Sequence, residues 1–209
     1  MAENDTPRWL EWARELQAIG QTGLALTQSD YDTQRYQRLT ELAAEIVASH
    51  TTLEKLELIK GFSAQPGYAT VKVDVRGAVV REGRILLVQE RRDQRWCMPG
   101  GWADVGDKPS DMVVREVWEE SGFHVEAVKV IGVFDANRSN RPMECYHAYK
   151  IVFLCTITGG EARGSDETLA AEFFDFNAVP PLSPDRTNER HLAEVQAHLR
   201  DPGRPATFD

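Results

Sequence analysis

The sequence has few cysteines, no long apolar run and no excess of basic residues, and each absence disfavours a class of protein. Its 209 residues include 3 cysteines, and none stands in a C-x-x-C spacing, which argues against a disulfide framework or a zinc site. The net charge of -9 disfavours a stable nucleic-acid partner or a membrane surface, because both are bound through basic patches. No stretch approaches the roughly 18 apolar residues of a membrane span, so a cytoplasmic location is expected.

The composition is that of a globular protein, and the length and the residue pattern indicate a smaller element joined to the main domain. A hydrophobic content of 42% and a charged content of 27% suit a chain that buries a core, and the length suits one catalytic domain plus a smaller unit. Apolar residues recur at helical spacing over roughly the first 62 residues. They include Trp9, Trp12, Leu16, Leu39, Leu42 and Ile46. The break at residues 64–67 predicts a helical domain over residues 1–65 and a second domain over residues 66–209.

The second domain is predicted to have an α+β fold with helices on a mixed sheet. Alternating valines from Val71 and a hairpin turn at residues 81–84 indicate two strands. Further β-rich runs cover residues 125–134 and 145–157, on either side of a polar loop at 135–143. Residues 173–176 are predicted as the last strand, and a terminal helix is predicted to open at Ser183 and Pro184.

The stretch over residues 101–123, GWADVGDKPSDMVVREVWEESGF, carries the strongest chemical pattern. Pro109 suits the first turn of a helix, Asp107 or Ser110 can cap it, and Gly122 suits its C-terminal end, which predicts a helix over residues 109–121. Its three glutamates at i, i+3 and i+4 share one face and repel one another. They are Glu116, Glu119 and Glu120. A divalent cation, Mg²⁺ or Mn²⁺, removes this conflict because both ions prefer carboxylate oxygens.

This stretch closely resembles the signature of the Nudix hydrolases. Gly101 is followed after five residues by Asp107, and after seven more by Arg115-Glu116-Val117-x-Glu119-Glu120-x-Gly122-Phe123. The family normally has glutamate at the position of Asp107. The resemblance implies a Nudix α/β/α sandwich over about residues 70–200, with the Gly101 carbonyl joining Glu116, Glu119 and Glu120 as metal ligands.

The start of the chain resembles a second, helical domain found in a bacterial subset of the family. That subset hydrolyses nucleoside diphosphates linked to another moiety, which implies CDP-choline or ADP-ribose as a substrate and a nucleoside monophosphate as one product. Two alternatives stay open: hydrolysis of nucleoside triphosphates or capped RNA, and a noncatalytic nucleotide sensor. The intact acidic face disfavours the sensor.

Several residues receive individual expectations. Arg115 is expected to orient one of the three helix glutamates through a bidentate pair. The general base stays open between a glutamate of the signature helix, as in part of the family, and Glu167, which resembles the loop glutamate that has this role in other members. Arg91 and Arg92 are candidates for contacting substrate phosphate, and Trp102 could stack on a base or lie in the core. The apolar stripes of the N-terminal helices exceed what so small a unit can bury, which predicts a homodimer.

Overall fold

The computed structural model describes residues 7–136 and 147–209. Its chain divides into two compact units, one with described residues 7–71 and His147, the other with described residues 72–136 and 148–209. Cys145 and most of the predicted polar loop lie outside the described residues. Residues 64–71 form neither helix nor strand. The domain boundary predicted between residues 65 and 66 lies within this segment and stays a prediction.

The described residues of the first unit form three helices, as the apolar periodicity predicts. They are α1 (Arg8–Leu26), α2 (Asp30–His50) and α3 (Lys55–Ser63). Ser29 caps α2, since its side chain accepts a hydrogen bond from the Asp32 N–H at 3.3 Å. Small residues let the helices approach closely around a short core. Its buried members are Ala13, Ala43, Ala44, Val47, Leu58 and Phe62.

Over residues 72–136 and 148–209, the second unit combines strands with two helices. The strands are β1 (Lys72–Arg81), β2 (Arg84–Glu90), β3 (Trp96–Cys97), β4 (Phe123–Asp135), β5 (Ala148–Gly160), β6 (Thr168–Asp175) and β7 (Thr207–Phe208). The helices are α4 (Pro109–Ser121) and α5 (Glu189–Arg200). The strands pair in the order β3-β2-β1-β5-β4-β7, and β6 pairs with β2. The sheet is mixed, because β1 runs parallel to β5 while β4 runs antiparallel to it.

The two helices belong to separate apolar clusters. Met112, Val113 and Val117 of α4 share one cluster with residues of β1 and β5, whereas Leu192 and Val195 of α5 belong to the other. Alternate residues of a strand face opposite sides, so the sheet supplies both clusters. This arrangement confirms the predicted α/β/α sandwich preceded by helices.

Three local predictions are wrong. Lys108 precedes α4 as its N-cap and makes no side-chain cap, so neither Asp107 nor Ser110 has that role. The last strand is β7, after β6. The terminal helix begins later than predicted, because Asn188 caps it by accepting from the His191 N–H at 3.1 Å.

Candidate active site

The turn at residues 99–101 lies along β1 and approaches α4. The Gly77 N–H donates to the Pro99 carbonyl at 2.8 Å, and the Val75 N–H donates to the Gly101 carbonyl at 2.9 Å. These bonds fix the turn to the sheet. Because a carbonyl oxygen has two lone pairs, the Gly101 carbonyl retains one for a further partner.

Gly100 connects this turn to the catalytic-helix candidate α4. Its φ is 142°, and a Cβ there would clash with the Val75 carbonyl oxygen, so the position requires glycine. The Gly100 N–H donates to Glu120 Oε2 at 2.9 Å. Burial raises the pKa of Glu120 to about 8. The turn and the C-terminal part of α4 are therefore joined through a buried carboxyl group.

The three glutamates of α4 lie at different depths. Glu120 is buried, Glu116 is partly buried and Glu119 is exposed. Glu116 faces the turn, since a Cβ added at Gly101 would lie 2.9 Å from Glu116 Oε2. Burial, followed by the charge of Glu119, raises the pKa of Glu116, and the charge of Glu167 contributes in the same direction. Acidic side chains are thus concentrated where the helix meets the turn.

The acidic side chains, as placed, are not close enough together to form a metal-binding site. Among residues 7–136 and 147–209, no group of three or more His, Cys, Asp or Glu side chains could hold a metal ion as placed. The Glu120 carboxyl group is bonded to the turn, and Glu119 is exposed. The predicted ligand set stays a prediction.

Arg115 forms its bidentate pair with Asp107 and not with a helix glutamate, which corrects the predicted partner. Its Nη1 and Nη2 donate to the two Asp107 carboxylate oxygens at 3.2 and 2.7 Å. Glu116 Oε1 lies 3.9 Å from the same Nη2. The hydrogen bonds from Arg115 lower the pKa of Asp107. Asp107 is therefore a charged partner of Arg115 at the edge of the acidic face.

The loop that carries Glu167 is held near α4. Glu167 is exposed, and its charge contributes to the raised pKa of Glu116. The Arg91 guanidinium donates to the carbonyls of Asp166 at 3.0 Å and Ser165 at 3.2 Å. Arg91 therefore contacts the loop, and its predicted contact with substrate stays a prediction.

The other two substrate candidates are accessible. Arg92 is exposed and has no ion pair or hydrogen bond within the described part of the chain. Trp102 is 45% exposed and forms an isolated antiparallel bridge with Asp74 of β1. Trp102 therefore belongs to the surface beside the turn and not to the core.

The comparisons with known proteins agree with this arrangement. Residues 71–195 match the NUDIX domain, and residues 7–62 match a domain described as UDP-X-like, N-terminal oligomerisation domain. The chain belongs to the Nudix hydrolase family. This Nudix hydrolase is 39% identical over 202 residues to the putative ADP-ribose pyrophosphatase YjhB of Bacillus subtilis strain 168, covering 97% of both chains.

Two solved structures resemble this Nudix hydrolase over different lengths. An ADP-ribose pyrophosphatase from Streptococcus suis is 38% identical with a TM-score of 0.61, covering 67% of this chain and 100% of that one. A UDP-X diphosphatase is 27% identical with a TM-score of 0.63, covering 96% of this chain and 98% of that one. The second likeness therefore spans the N-terminal helices as well.

The sequence interpretation missed a buried ion pair beneath the turn of this Nudix hydrolase. Arg76 Nε and Nη2 donate to the two oxygens of Asp74 at 3.0 and 2.7 Å, and Nη1 donates to the Met98 carbonyl at 3.2 Å. Both side chains are buried, although polar residues alternating with valines suggest a solvent-facing side. The sequence feature that could have revealed this pair is the opposite charge of Asp74 and Arg76 at positions i and i+2, because that spacing places both side chains on the same face of the strand.

Proposed function

We propose that the chain hydrolyses the pyrophosphate bond of a nucleoside diphosphate linked to another moiety, with Mg²⁺ or Mn²⁺ as cofactor. ADP-ribose is the first candidate substrate, and CDP-choline is the second. The relative from Bacillus subtilis supports this choice, because it matches 97% of this chain and carries the name of a putative ADP-ribose pyrophosphatase. The UDP-X diphosphatase, similar over 96% of this chain, belongs to the same chemical class.

The observation that carries the proposal is the junction of α4 with the glycine turn. Glu120 accepts from the Gly100 N–H at 2.9 Å, and Glu116 lies against Gly101. A side chain at Gly101 would meet the Glu116 carboxylate, so the glycine leaves room beside the acidic group. Carboxylates and a backbone carbonyl with a spare lone pair are the hard oxygen donors that suit Mg²⁺ and Mn²⁺.

The chemistry of these donors therefore fits a divalent metal, and the described side chains would have to move closer together to hold it. Glu116, Glu119, Glu120 and the Gly101 carbonyl would hold it. When bound, the ion neutralises phosphate oxygens, supports the leaving phosphate and lowers the pKa of water. The raised pKa of Glu116, caused by burial and by Glu119, is consistent with acids whose charges need a cation nearby.

The remaining residues receive roles from their positions. Glu167 acts as general base and takes a proton from the attacking water, while the water oxygen bonds to phosphorus and the bridging P–O bond breaks. Arg115 and Asp107 hold one side of the acidic face. Trp102 offers an exposed ring for stacking against a base, and Arg92 offers an exposed guanidinium for phosphate.

A panel of substrates tests this proposal. Purified full-length protein is assayed with Mg²⁺ on ADP-ribose, CDP-choline, UDP-glucose, a nucleoside triphosphate and a capped RNA. The proposal expects the highest kcat/KM for one of the first three. A preference for the triphosphate with release of inorganic pyrophosphate, or for the capped RNA, would favour the other hydrolase class. A protein that binds nucleotide and cleaves none of the panel would contradict catalysis.

A further inference from the structure

The loop before β6 is fixed by Arg91 through three hydrogen bonds to consecutive residues. The Arg91 N–H donates to the Glu167 carbonyl at 3.1 Å, continuing the pairing of β2 with β6. The guanidinium Nε donates to the Asp166 carbonyl at 3.0 Å, and Nη2 donates to the Ser165 carbonyl at 3.2 Å. A planar guanidinium holds two acceptors in a set geometry, which a lysine cannot do.

The same loop is fixed to α4 from its other end. Thr168 is 1% exposed, and its hydroxyl donates to the Glu120 carbonyl at 2.7 Å. Ser165 Oγ accepts from the N–H groups of Glu167 and Thr168, both at 3.1 Å. This loop is therefore hydrogen-bonded to the end of β2 and to the last turn of α4.

Glu167 lies between these two attachments. Within the described residues, no hydrogen bond or ion pair engages its carboxylate, and the next residue, Thr168, hydrogen-bonds the Glu120 carbonyl of α4. We infer that Arg91 and Thr168 are positioning residues that hold Glu167 beside the acidic face of α4, so Arg91 serves the reaction without binding substrate. This inference rests on the proposed function, in which Glu167 is the general base.

Steady-state kinetics on ADP-ribose with saturating Mg²⁺ separate positioning from binding. Arg91→Ala should lower kcat by about 10- to 100-fold with KM changed less than about threefold, because a displaced base affects the chemical step. Arg91→Lys should stay slow, since it keeps the charge but loses the fork. Arg84→Ala, at the opposite end of β2, is the exposed control. An increase in KM at unchanged kcat, restored by Arg91→Lys, would overturn the inference.

Thr168 provides a matched pair of variants. Thr168→Ser keeps the hydroxyl and should retain kcat within about threefold, whereas Thr168→Val keeps the shape and should lower kcat by about tenfold or more. Equal rates for the two variants would show that the hydroxyl has no positioning role.

A double variant and amide exchange complete the test. If Arg91 acts through Glu167, Arg91→Ala combined with Glu167→Gln should be no slower than Glu167→Gln alone. Amides of residues 165–168 should exchange faster in metal-free Arg91→Ala than in the unchanged protein. The inference would be overturned if the double variant lost the product of the two separate losses in kcat. It would also be overturned if the amide exchange rates of residues 165–168 did not change. A fully active Glu167→Gln would contradict the base assignment itself, whereas a slow Glu167→Gln beside a fully active Arg91→Ala would contradict only the positioning.

Discussion

At the scale of single residues, Glu119 and Glu120 are neighbours in sequence with opposite surroundings. Glu119 is exposed, while Glu120 is 7% exposed and bonded to the Gly100 N–H. Burial raises the pKa of Glu120 to about 8. Without metal, the folded protein therefore keeps a proton on Glu120 over a pH range in which the unfolded chain has already lost it.

This difference predicts how the stability of the metal-free protein depends on pH. As pH rises from near 4.5, the ordinary glutamate value, to about 8, Glu120 should reduce the free energy of unfolding by a few kcal/mol, on the order of one per pKa unit. Glu120→Gln cannot titrate and lacks this contribution. Urea unfolding in EDTA at several pH values should show the unchanged protein losing stability relative to Glu120→Gln as pH rises. Parallel curves for the two proteins would contradict the prediction.

Asp107 is the second residue with a testable role. It replaces the family's glutamate and pairs with Arg115 through both oxygens. Asp107→Glu keeps the charge and should leave kcat/KM within about one order of magnitude, as expected for a group that acts through Arg115. Asp107→Ala removes the pair with Arg115 and should lower kcat/KM further than Asp107→Glu does. The kinetics of the two variants check this, and a complete loss in Asp107→Glu would mean that the shorter side chain is required.

At the scale of elements, the contact between the glycine turn and α4 should be sensitive to backbone substitution. Gly100→Ala introduces a clash with the Val75 carbonyl at a positive φ, whereas Gly106 has φ 101° with nothing within 4 Å of an added Cβ. Gly100→Ala should lower the free energy of unfolding by about 3 kcal/mol or more, and Gly106→Ala by about 1 kcal/mol. Urea titration measures both. Equal losses of unfolding free energy in the two variants would show that the clash at position 100 is relieved without a free-energy penalty.

Local signals account for the elements that the sequence predicted well. α4 was predicted over residues 109–121 and spans Pro109–Ser121, because Pro109 starts it and Gly122, with φ 81°, ends it. The i, i+3 and i+4 spacing likewise placed three glutamates on one face. Their depths could not be predicted, because burial of Glu120 depends on a turn that lies 20 residues earlier.

Tertiary contacts explain the elements that were predicted wrongly. Ser183 does not open a helix, because its hydroxyl donates to Asp93 Oδ2 at 2.8 Å in a loop contact. The Asp74 and Arg76 pair, about which the sequence analysis made no prediction, is buried. Glu167 was predicted through family resemblance, and no local signal indicated that Arg91 holds its loop. Long-range contacts of this kind leave no periodic pattern in the sequence.

At the scale of the whole molecule, the N-terminal unit exposes large apolar side chains. Trp12, Leu26, Tyr31 and Leu56 are 52%, 76%, 77% and 70% exposed. No helix among the described residues is long and apolar enough to cross a membrane. The matched domain is described as an oligomerisation domain, and a two-fold dimer is the commonest way to cover a self-complementary patch. We therefore propose that these side chains contact a second copy of the chain.

Light scattering should find a homodimer for the full chain. Trp12→Glu with Leu56→Glu should weaken the dimer, because both changes place charge in an apolar contact. Gln34→Glu, which adds the same charge at an exposed polar position of α2, is the control and should leave the dimer intact. A shortened protein that begins at Ala69 should be monomeric. A monomeric full chain, or a dimeric shortened one, would show that the helices have another role.

The central claim is that the acidic face of α4 performs metal-dependent cleavage of a pyrophosphate bond. The direct measurement is product analysis on ADP-ribose, with Mg²⁺ or EDTA, for the unchanged protein, Glu119→Gln, Glu120→Gln and the exposed control Glu126→Gln. The account predicts AMP and ribose 5-phosphate with Mg²⁺ for the unchanged protein and the control, and turnover lower by about 100-fold or more in the other two variants, since charge is lost from an electrostatic site. Full activity in EDTA, or near-normal turnover in both Glu119→Gln and Glu120→Gln, would contradict it.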